Sequence, residues 1–108
     1  MTISTHVLDT MQGKPAENVP FRLYAVEGRA VASGTTNSDG RTSDLAGVQL
    51  DEGVYRMEFD TASYFRDQNI NEYFYPKVDI YFQVRQASAH YHVPLILSPY
   101  GFSTYRGS

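Results

Sequence analysis

Cysteine is absent from the sequence, and this absence removes several kinds of chemistry at once. Disulfide bonds cannot stabilise the fold, no thiolate is available as a nucleophile, and any metal site must be built without cysteine sulfur. The absence does not by itself indicate a cellular compartment. The fold must therefore form without covalent cross-links.

Long apolar runs and basic clusters are also missing. No segment approaches the roughly 18 apolar residues that a membrane-spanning helix requires. The formal net charge is -3, and lysines and arginines are spread along the chain, which argues against nucleic acid as a partner. The first residues, MTISTHVLDT, have neither the basic region nor the apolar stretch of a secretory signal. This predicts a cytoplasmic protein, whereas a signal removed from a longer precursor would place it in the periplasm.

Several familiar catalytic motifs do not occur. The sequence has no GxSxG nucleophile motif, no glycine-rich phosphate loop and no HExxH zinc motif. What it does have is the composition of an ordinary globular chain, with 42% hydrophobic and 19% charged residues. Its 108 residues suit one domain, residues 1–108.

Short alternating segments dominate the chain and predict β-strands. In GVYRMEFD, for example, Tyr55, Met57 and Phe59 fall on one face and Arg56 and Glu58 on the other. The other strand-like segments are TISTHVLDT, VPFRLYAV, AVASGTTN, KVDIYFQV, HYHVPLILS and GFSTYRG, with MQGKPAEN as a loop and SDGR as a turn. Seven or eight strands at this spacing predict an all-β sandwich.

One segment, DTASYFRDQN, predicts a short helix instead. Asp60 or Thr61 suits the N-cap, and helix-tolerant residues follow. We expect this helix at roughly residues 61–68.

The three histidines are the first candidates for chemistry. On a strand, His90 and His92 point to the same side, and His6 could share that face if the first strand and a late strand lie in one sheet. Taken singly, each histidine is as easily a solvated surface residue. Zinc needs three or four ligands, and neither cysteine nor an acidic cluster lies nearby. The pair on one strand, His90 and His92, therefore suits acid–base chemistry near neutral pH better than metal binding.

A second candidate set consists of Arg41 and the end of the sequence. Arg41 follows the turn Asp39-Gly40 and, on its own, indicates a solvated cation. The sequence ends with YRGS, which offers an aromatic ring, a cation, a glycine and a hydroxyl beside a carboxylate. Chain ends are usually frayed, whereas this combination is typical of the wall of a polar site. Arg106 has a simpler interpretation, as a partner for the terminal carboxylate.

These motifs together carry a family resemblance. The chain resembles the transthyretin-related protein family over essentially its whole length. The segments that carry the resemblance are STHVLDT with GKPA, SDGR and HYHVPLILSPYGFSTYRGS. The YRGS end, with His6, Arg41 and His92, is similar to the hydrolase branch of that family. The hormone-carrier branch lacks the histidines and ends differently. The resemblance implies a transthyretin-like (prealbumin-like) sandwich of two four-stranded sheets with one short α-helix. It also implies a homotetramer, a dimer of dimers, with active sites in the channel between dimers.

The same resemblance implies a reaction. It is the hydrolysis of 5-hydroxyisourate to 2-oxo-4-hydroxy-4-carboxy-5-ureidoimidazoline in urate degradation, with no cofactor and no metal. His6 and His92 would orient and deprotonate the attacking water, one of them later protonating the leaving nitrogen, and Arg41 would stabilise the developing negative charge. Tyr105 and Ser108, with Arg41 and His6, would bind the substrate. The expected partners are this small molecule and other copies of the chain, with no nucleic acid and no membrane. The sequence does not decide which histidine is the base.

Two other classes of function remain open at this point. A transthyretin-like carrier would hold an aromatic ligand in the same channel without chemistry, and it would need apolar walls rather than histidines and an arginine. A purely structural sandwich would have no use for the YRGS end. The presence of His6, Arg41, His92 and YRGS together favours the enzyme.

Overall fold

The computed structural model describes residues 2–86 and 89–107. In this part of the chain, eight strands and one helix form a sandwich of two sheets. The elements, in chain order, are β1 (Thr2–Asp9), β2 (Lys14–Pro15), β3 (Pro20–Ala25), β4 (Ala30–Thr35), β5 (Gly53–Phe59), α1 (Thr61–Asp67), β6 (Val78–Val84), β7 (His90–Ser98) and β8 (Gly101–Thr104).

The strand order places the two ends of the chain in the same sheet. One sheet has the order β2-β1-β7-β8 and the other the order β4-β3-β5-β6. Strands β1 and β7 pair in parallel, with Thr2 opposite His90, Ser4 opposite His92 and His6 opposite Pro94. The all-β sandwich of two four-stranded sheets is therefore confirmed, and the first strand and a late strand lie in one sheet as expected.

Alternation along each strand explains which faces meet. Ile3, Thr5 and Val7 of β1 are buried, while the residues between them are only partly covered. The core between the sheets also takes alternate residues of β5, β6 and β7, including Met57, Val78, Tyr91 and Leu95. Burial of these apolar faces stabilises the sandwich by roughly 25 cal/mol for each Å² removed from water. It leaves the opposite face of β1 and β7 free for polar side chains.

The predicted helix is present as α1. Asp60 is its N-cap, and its carboxylate accepts hydrogen bonds from the backbone nitrogen and the hydroxyl of Ser63 at 3.1 and 2.7 Å. The buried Tyr64 donates its hydroxyl to Asp9 at 2.6 Å, which ties the helix to the end of β1. Burial, reinforced by the bond to Asp9, raises the pKa of the Tyr64 phenol. No helix in the described residues is long and apolar enough to cross a membrane.

Two strand boundaries differ from the sequence-based prediction. The segment MQGKPAEN, predicted as a loop, contains the two-residue strand β2, which pairs with Leu8 and Asp9. The last strand was expected to run through residue 107, but β8 ends at Thr104 and only an isolated bridge between Gly107 and His92 continues the pairing. Simple alternation therefore does not extend to residues 105 and 106.

Candidate active site

The parallel register of β1 and β7 brings the polar residues of both strands onto one outer surface. Side chains at paired positions of neighbouring strands lie on the same face of a sheet. Ser4 and His6 of β1 therefore lie on the same face as His90 and His92 of β7. This outer surface is the opposite face from the apolar core, so its side chains are available for chemistry.

A tight turn attaches Arg41 to this surface. Gly40 has a φ of 72°, and its carbonyl accepts a hydrogen bond from the backbone nitrogen of Val7 at 2.8 Å. A Cβ at position 40 would lie 2.4 Å from the Val7 carbonyl oxygen and 3.2 Å from Cδ2 of His6. Only glycine accommodates both the conformation and the contact. The turn can therefore pack directly against β1 beside His6.

The side chain of Asn37 holds the turn in shape. Its Oδ1 accepts hydrogen bonds from the backbone nitrogens of Asp39 and Arg41 at 2.9 and 3.2 Å. The backbone nitrogen of Asn37 donates to the Arg41 carbonyl at 2.7 Å. Arg41 is thus carried by a turn whose backbone is held by these three hydrogen bonds.

The segment after β8 closes the other side of the surface. The backbone nitrogen of Gly107 donates to the carbonyl of His92 at 3.0 Å. A Cβ at position 107 would lie 2.2 Å from Cδ2 of His92, so the backbone lies directly against the imidazole ring. The guanidinium of Arg106 lies over the ring of Tyr91, 4.8 Å from its centroid, and its pairing with the terminal carboxylate stays a prediction. Ser108 lies outside the described residues.

These elements surround one open cavity of about 380 Å³. Its lining residues are Ser4, His6, Arg41, His90, His92, Tyr105 and Gly107. A neighbouring cavity of about 510 Å³, between the edges formed by β6 and β8, shares His92 and Tyr105 with it. The structure thus brings together four of the five predicted site residues, namely His6, Arg41, His92 and Tyr105.

The electrostatic environment of His92 favours its neutral form. Burial lowers the pKa of His92, and electrostatic interactions with Arg41, His6 and His90 lower it further. A hydrogen bond to the backbone of Ser4 opposes this shift. A neutral imidazole near pH 7 can accept a proton, which is what a general base must do.

Ser4 is the site residue that the sequence analysis missed. Its Oγ lies 2.7 Å from Nδ1 of His92 and 3.0 Å from Nε2 of His90. A serine two positions before His6 on a strand must share its face, and this alternation was the available signal. Among the described residues, no group of three or more histidine, aspartate or glutamate side chains is placed to hold a metal ion.

The sandwich and its polar cavity define this chain as a transthyretin-like protein with a histidine–arginine site on its outer surface. It belongs to the HIUase/Transthyretin family, whose model matches residues 3–107.

Individual relatives lie on both branches of that family. The chain is 42% identical to 5-hydroxyisourate hydrolase 2 of Rhizobium meliloti (strain 1021) over 114 residues, covering 98% of this chain and 95% of the relative. The structure of Klebsiella pneumoniae 5-hydroxyisourate hydrolase superposes with a TM-score of 0.89 at 35% identity and covers 100% of both chains. Sea bream transthyretin in complex with thyroxine also has a TM-score of 0.89, at 28% identity, covering 99% of this chain and 95% of that one. Equal TM-scores mean that the fold alone does not separate hydrolase from carrier.

Proposed function

We propose that this protein hydrolyses 5-hydroxyisourate to 2-oxo-4-hydroxy-4-carboxy-5-ureidoimidazoline, a step of urate degradation. The observation that carries the proposal is the cavity in which two histidines, His6 and His92, meet Arg41. The 5-hydroxyisourate hydrolases of R. meliloti and K. pneumoniae support it through their identity and coverage. The reaction opens the six-membered ring, because water attacks an acyl carbon and the bond from that carbon to nitrogen breaks.

In the proposed mechanism, His92 is the general base. Its lowered pKa keeps the imidazole neutral, so it accepts a proton from the attacking water. His6, on the neighbouring strand, orients that water and supplies the proton that the leaving nitrogen needs. Each positioned proton transfer of this kind is typically worth about 10²–10⁴-fold in rate.

Arg41 stabilises the charge that develops during the attack. The carbonyl oxygen becomes an oxyanion in the tetrahedral intermediate, and a guanidinium beside it lowers its energy. The turn of residues 37–41 is held by Asn37 and by the bond from Val7 to Gly40, so the backbone of Arg41 stays beside the cavity. No cofactor or metal is needed for this chemistry.

Tyr105 and Ser108 complete the proposed substrate contacts. Tyr105 lines the cavity and is 59% exposed, so its phenol is free to meet a ligand. The role of Ser108 rests on the resemblance of the YRGS end to the hydrolase branch. Its hydroxyl-bearing side chain is on the residue directly after Gly107, whose backbone touches His92.

We further propose that the protein works as a homotetramer, a dimer of dimers, with the cavity facing the channel between dimers. The edge strands β6 and β8 lie at the ends of their sheets, where unpaired backbone groups favour pairing with another chain. Tyr81 of β6 and Phe102 of β8 are also exposed, at 63% and 40%. Light scattering should give a tetramer at micromolar concentration, and a fully active monomer would contradict this part of the proposal.

The alternative is a carrier that holds an aromatic ligand in the channel without chemistry, since the sea bream transthyretin with thyroxine has the same fold. The cavity described above is lined by imidazoles, a guanidinium and a serine hydroxyl. A carrier of an aromatic ligand would instead need apolar walls, so the lining favours the hydrolase.

A single assay separates the two. 5-Hydroxyisourate is generated from urate with urate oxidase, and the loss of its absorbance is followed with and without this protein. We expect the initial rate to rise in proportion to protein concentration. Decay at the rate of buffer alone, together with binding of an aromatic ligand, would favour the carrier.

A further inference from the structure

Ser4 lies between the two histidines of β7 and contacts both. Its Oγ is 2.7 Å from Nδ1 of His92 and 3.0 Å from Nε2 of His90. The other ring nitrogen of His90, Nδ1, contacts Oγ1 of Thr2. Four side chains of the outer surface thus form one continuous hydrogen-bonded chain, in the order Thr2, His90, Ser4, His92.

The protons available to this chain restrict how it can be arranged. A serine hydroxyl has a single proton to donate and accepts through its lone pairs. When it bonds to two imidazole nitrogens, at most one ring can accept from Ser4, so at least one ring must donate to it. If His92 donates through Nδ1–H, then its Nε2 carries a free lone pair and can act as a base.

The rest of the structure favours this orientation. Nε2 of His92 has no hydrogen-bond partner among the described residues, and its ring lines the cavity. His90, at the other end, is exposed, whereas His92 is partly buried. The hydrogen bonds therefore connect a base inside the cavity to an imidazole that exchanges protons with solvent.

We propose that Ser4 is a positioning residue that fixes the tautomer of His92 and connects it to His90 as a proton relay. The inference rests on the proposed hydrolysis. His92 accepts the water proton at Nε2 and gives its Nδ1 proton to Ser4 Oγ, while the Ser4 hydroxyl proton passes to Nε2 of His90. His90, now doubly protonated, releases one proton to solvent, so the net transfer is one proton from the attacking water to bulk.

The relay also accounts for the surroundings of His92. A lasting positive charge on this ring would be partly desolvated and would lie near Arg41 and His6, which both disfavour it. Passing the proton through Ser4 leaves His92 neutral, in the tautomer with the proton on Nε2. The charge resides instead on His90, whose exposed ring is hydrated.

The first test reads the tautomer directly and does not depend on activity. The protein has three histidines, so its labelled imidazole nitrogens can be resolved by ¹⁵N NMR at a pH where the rings are neutral. We expect His92 to carry its proton on Nδ1 in the parent, and to become a mixture of tautomers in Ser4→Ala. Ser33→Ala, the same change at an exposed position of β4, serves as the control. A His92 spectrum that is identical in parent and Ser4→Ala would overturn the assignment.

The second test measures the consequence for turnover. Ser4→Ala should lower kcat by about tenfold to a hundredfold, the scale of losing a partner that orients an imidazole, with KM nearly unchanged. Ser4→Thr retains a hydroxyl and should restore most of the rate, and added imidazole buffer should partly rescue His90→Gln. Unchanged kcat in Ser4→Ala, or equal losses in Ser4→Thr and Ser4→Ala, would contradict the relay. If the parent protein fails to hydrolyse 5-hydroxyisourate, both the proposed function and the relay are refuted. The NMR result would still decide whether Ser4 fixes the tautomer of His92.

Discussion

Replacing Gly107 by alanine should damage the active site while leaving the sandwich folded. The added Cβ would lie 2.2 Å from Cδ2, 2.9 Å from Cγ and 3.1 Å from Cβ of His92. Carbon atoms in contact prefer a separation of about 3.5–4.0 Å, so either the imidazole or the chain end must move by more than about 1 Å. The ring is held on its other side by Ser4, at 2.7 Å from Nδ1, and cannot move away without losing that bond.

The size of the effect follows from this displacement. Overpacking of this kind costs about 1–3 kcal/mol of stability. Here the half-buried segment at Gly107 can move away and relieve much of the clash, at the expense of the hydrogen bond from Gly107 to the His92 carbonyl. Misplacement of a catalytic group by about 1 Å can cost about 100-fold in rate. We therefore expect a fall of that order in kcat/KM and a small change in melting temperature.

The control for this variant is Gly101→Ala, in the same strand pair. A Cβ at position 101 would meet only Oγ of Ser98, at an ordinary 3.7 Å. Rates of 5-hydroxyisourate loss and thermal melting should be measured on both proteins in parallel. If Gly107→Ala has the parent's rate, or if Gly101→Ala loses as much, then contact between the chain end and His92 does not position the base.

Four further substitutions and a pH profile test the remaining parts of the site. His6→Asn should lose most of the hydrolysis rate, whereas His90→Asn should lose much less, because only His6 is assigned direct contact with the reacting atoms. Equal initial rates for the two variants would contradict that assignment. Arg41→Lys should lower kcat/KM because lysine keeps the charge but loses the planar fork, and an unchanged value would mean that Arg41 is an ordinary turn cation. The pKa of His92 is lowered by burial and by Arg41, so the ring stops accepting a proton only when the pH falls through that lowered value. The acid limb of the profile of kcat/KM against pH should therefore have its midpoint below pH 6.5. Arg41→Gln should shift the titration of His92 upward, as read by NMR, and a fixed titration would refute the electrostatic argument.

The lowered pKa of His92 also has a consequence for stability. The unfolded chain binds a proton at His92 near its ordinary value of 6.5, while the folded protein does so only at lower pH. The contribution of the neutral ring to the free energy of unfolding is therefore fully present above pH 6.5. It is lost as the pH falls through the lowered pKa of the folded protein.

Alternation predicted most strands because each has one face in the core. Tyr55, Met57 and Phe59 could be placed on one face from sequence alone, and the structure buries all three. Strand β2 could not be predicted in the same way, because two residues, Lys14 and Pro15, are too few to show a period. Its formation depends on pairing with the end of β1.

The site was only partly predictable for a similar reason. That His6 and His92 could share a face followed from alternation, but the parallel register that puts Ser4 opposite His92 is a tertiary property. Arg41 lies at the cavity because Gly40 packs against Val7 and His6. This contact joins residues more than thirty positions apart, and no local pattern encodes it.

The most direct test of the account is the rate at which His92→Asn removes 5-hydroxyisourate, compared with the parent at equal concentration. Asparagine retains a polar side chain at this partly buried position but cannot take up a proton near neutral pH, so the variant should fold and melt much as the parent does. The account predicts a loss of about 10²–10⁴-fold in kcat/KM, the usual worth of a general base. A folded His92→Asn protein that hydrolyses 5-hydroxyisourate at the parent's rate would contradict it.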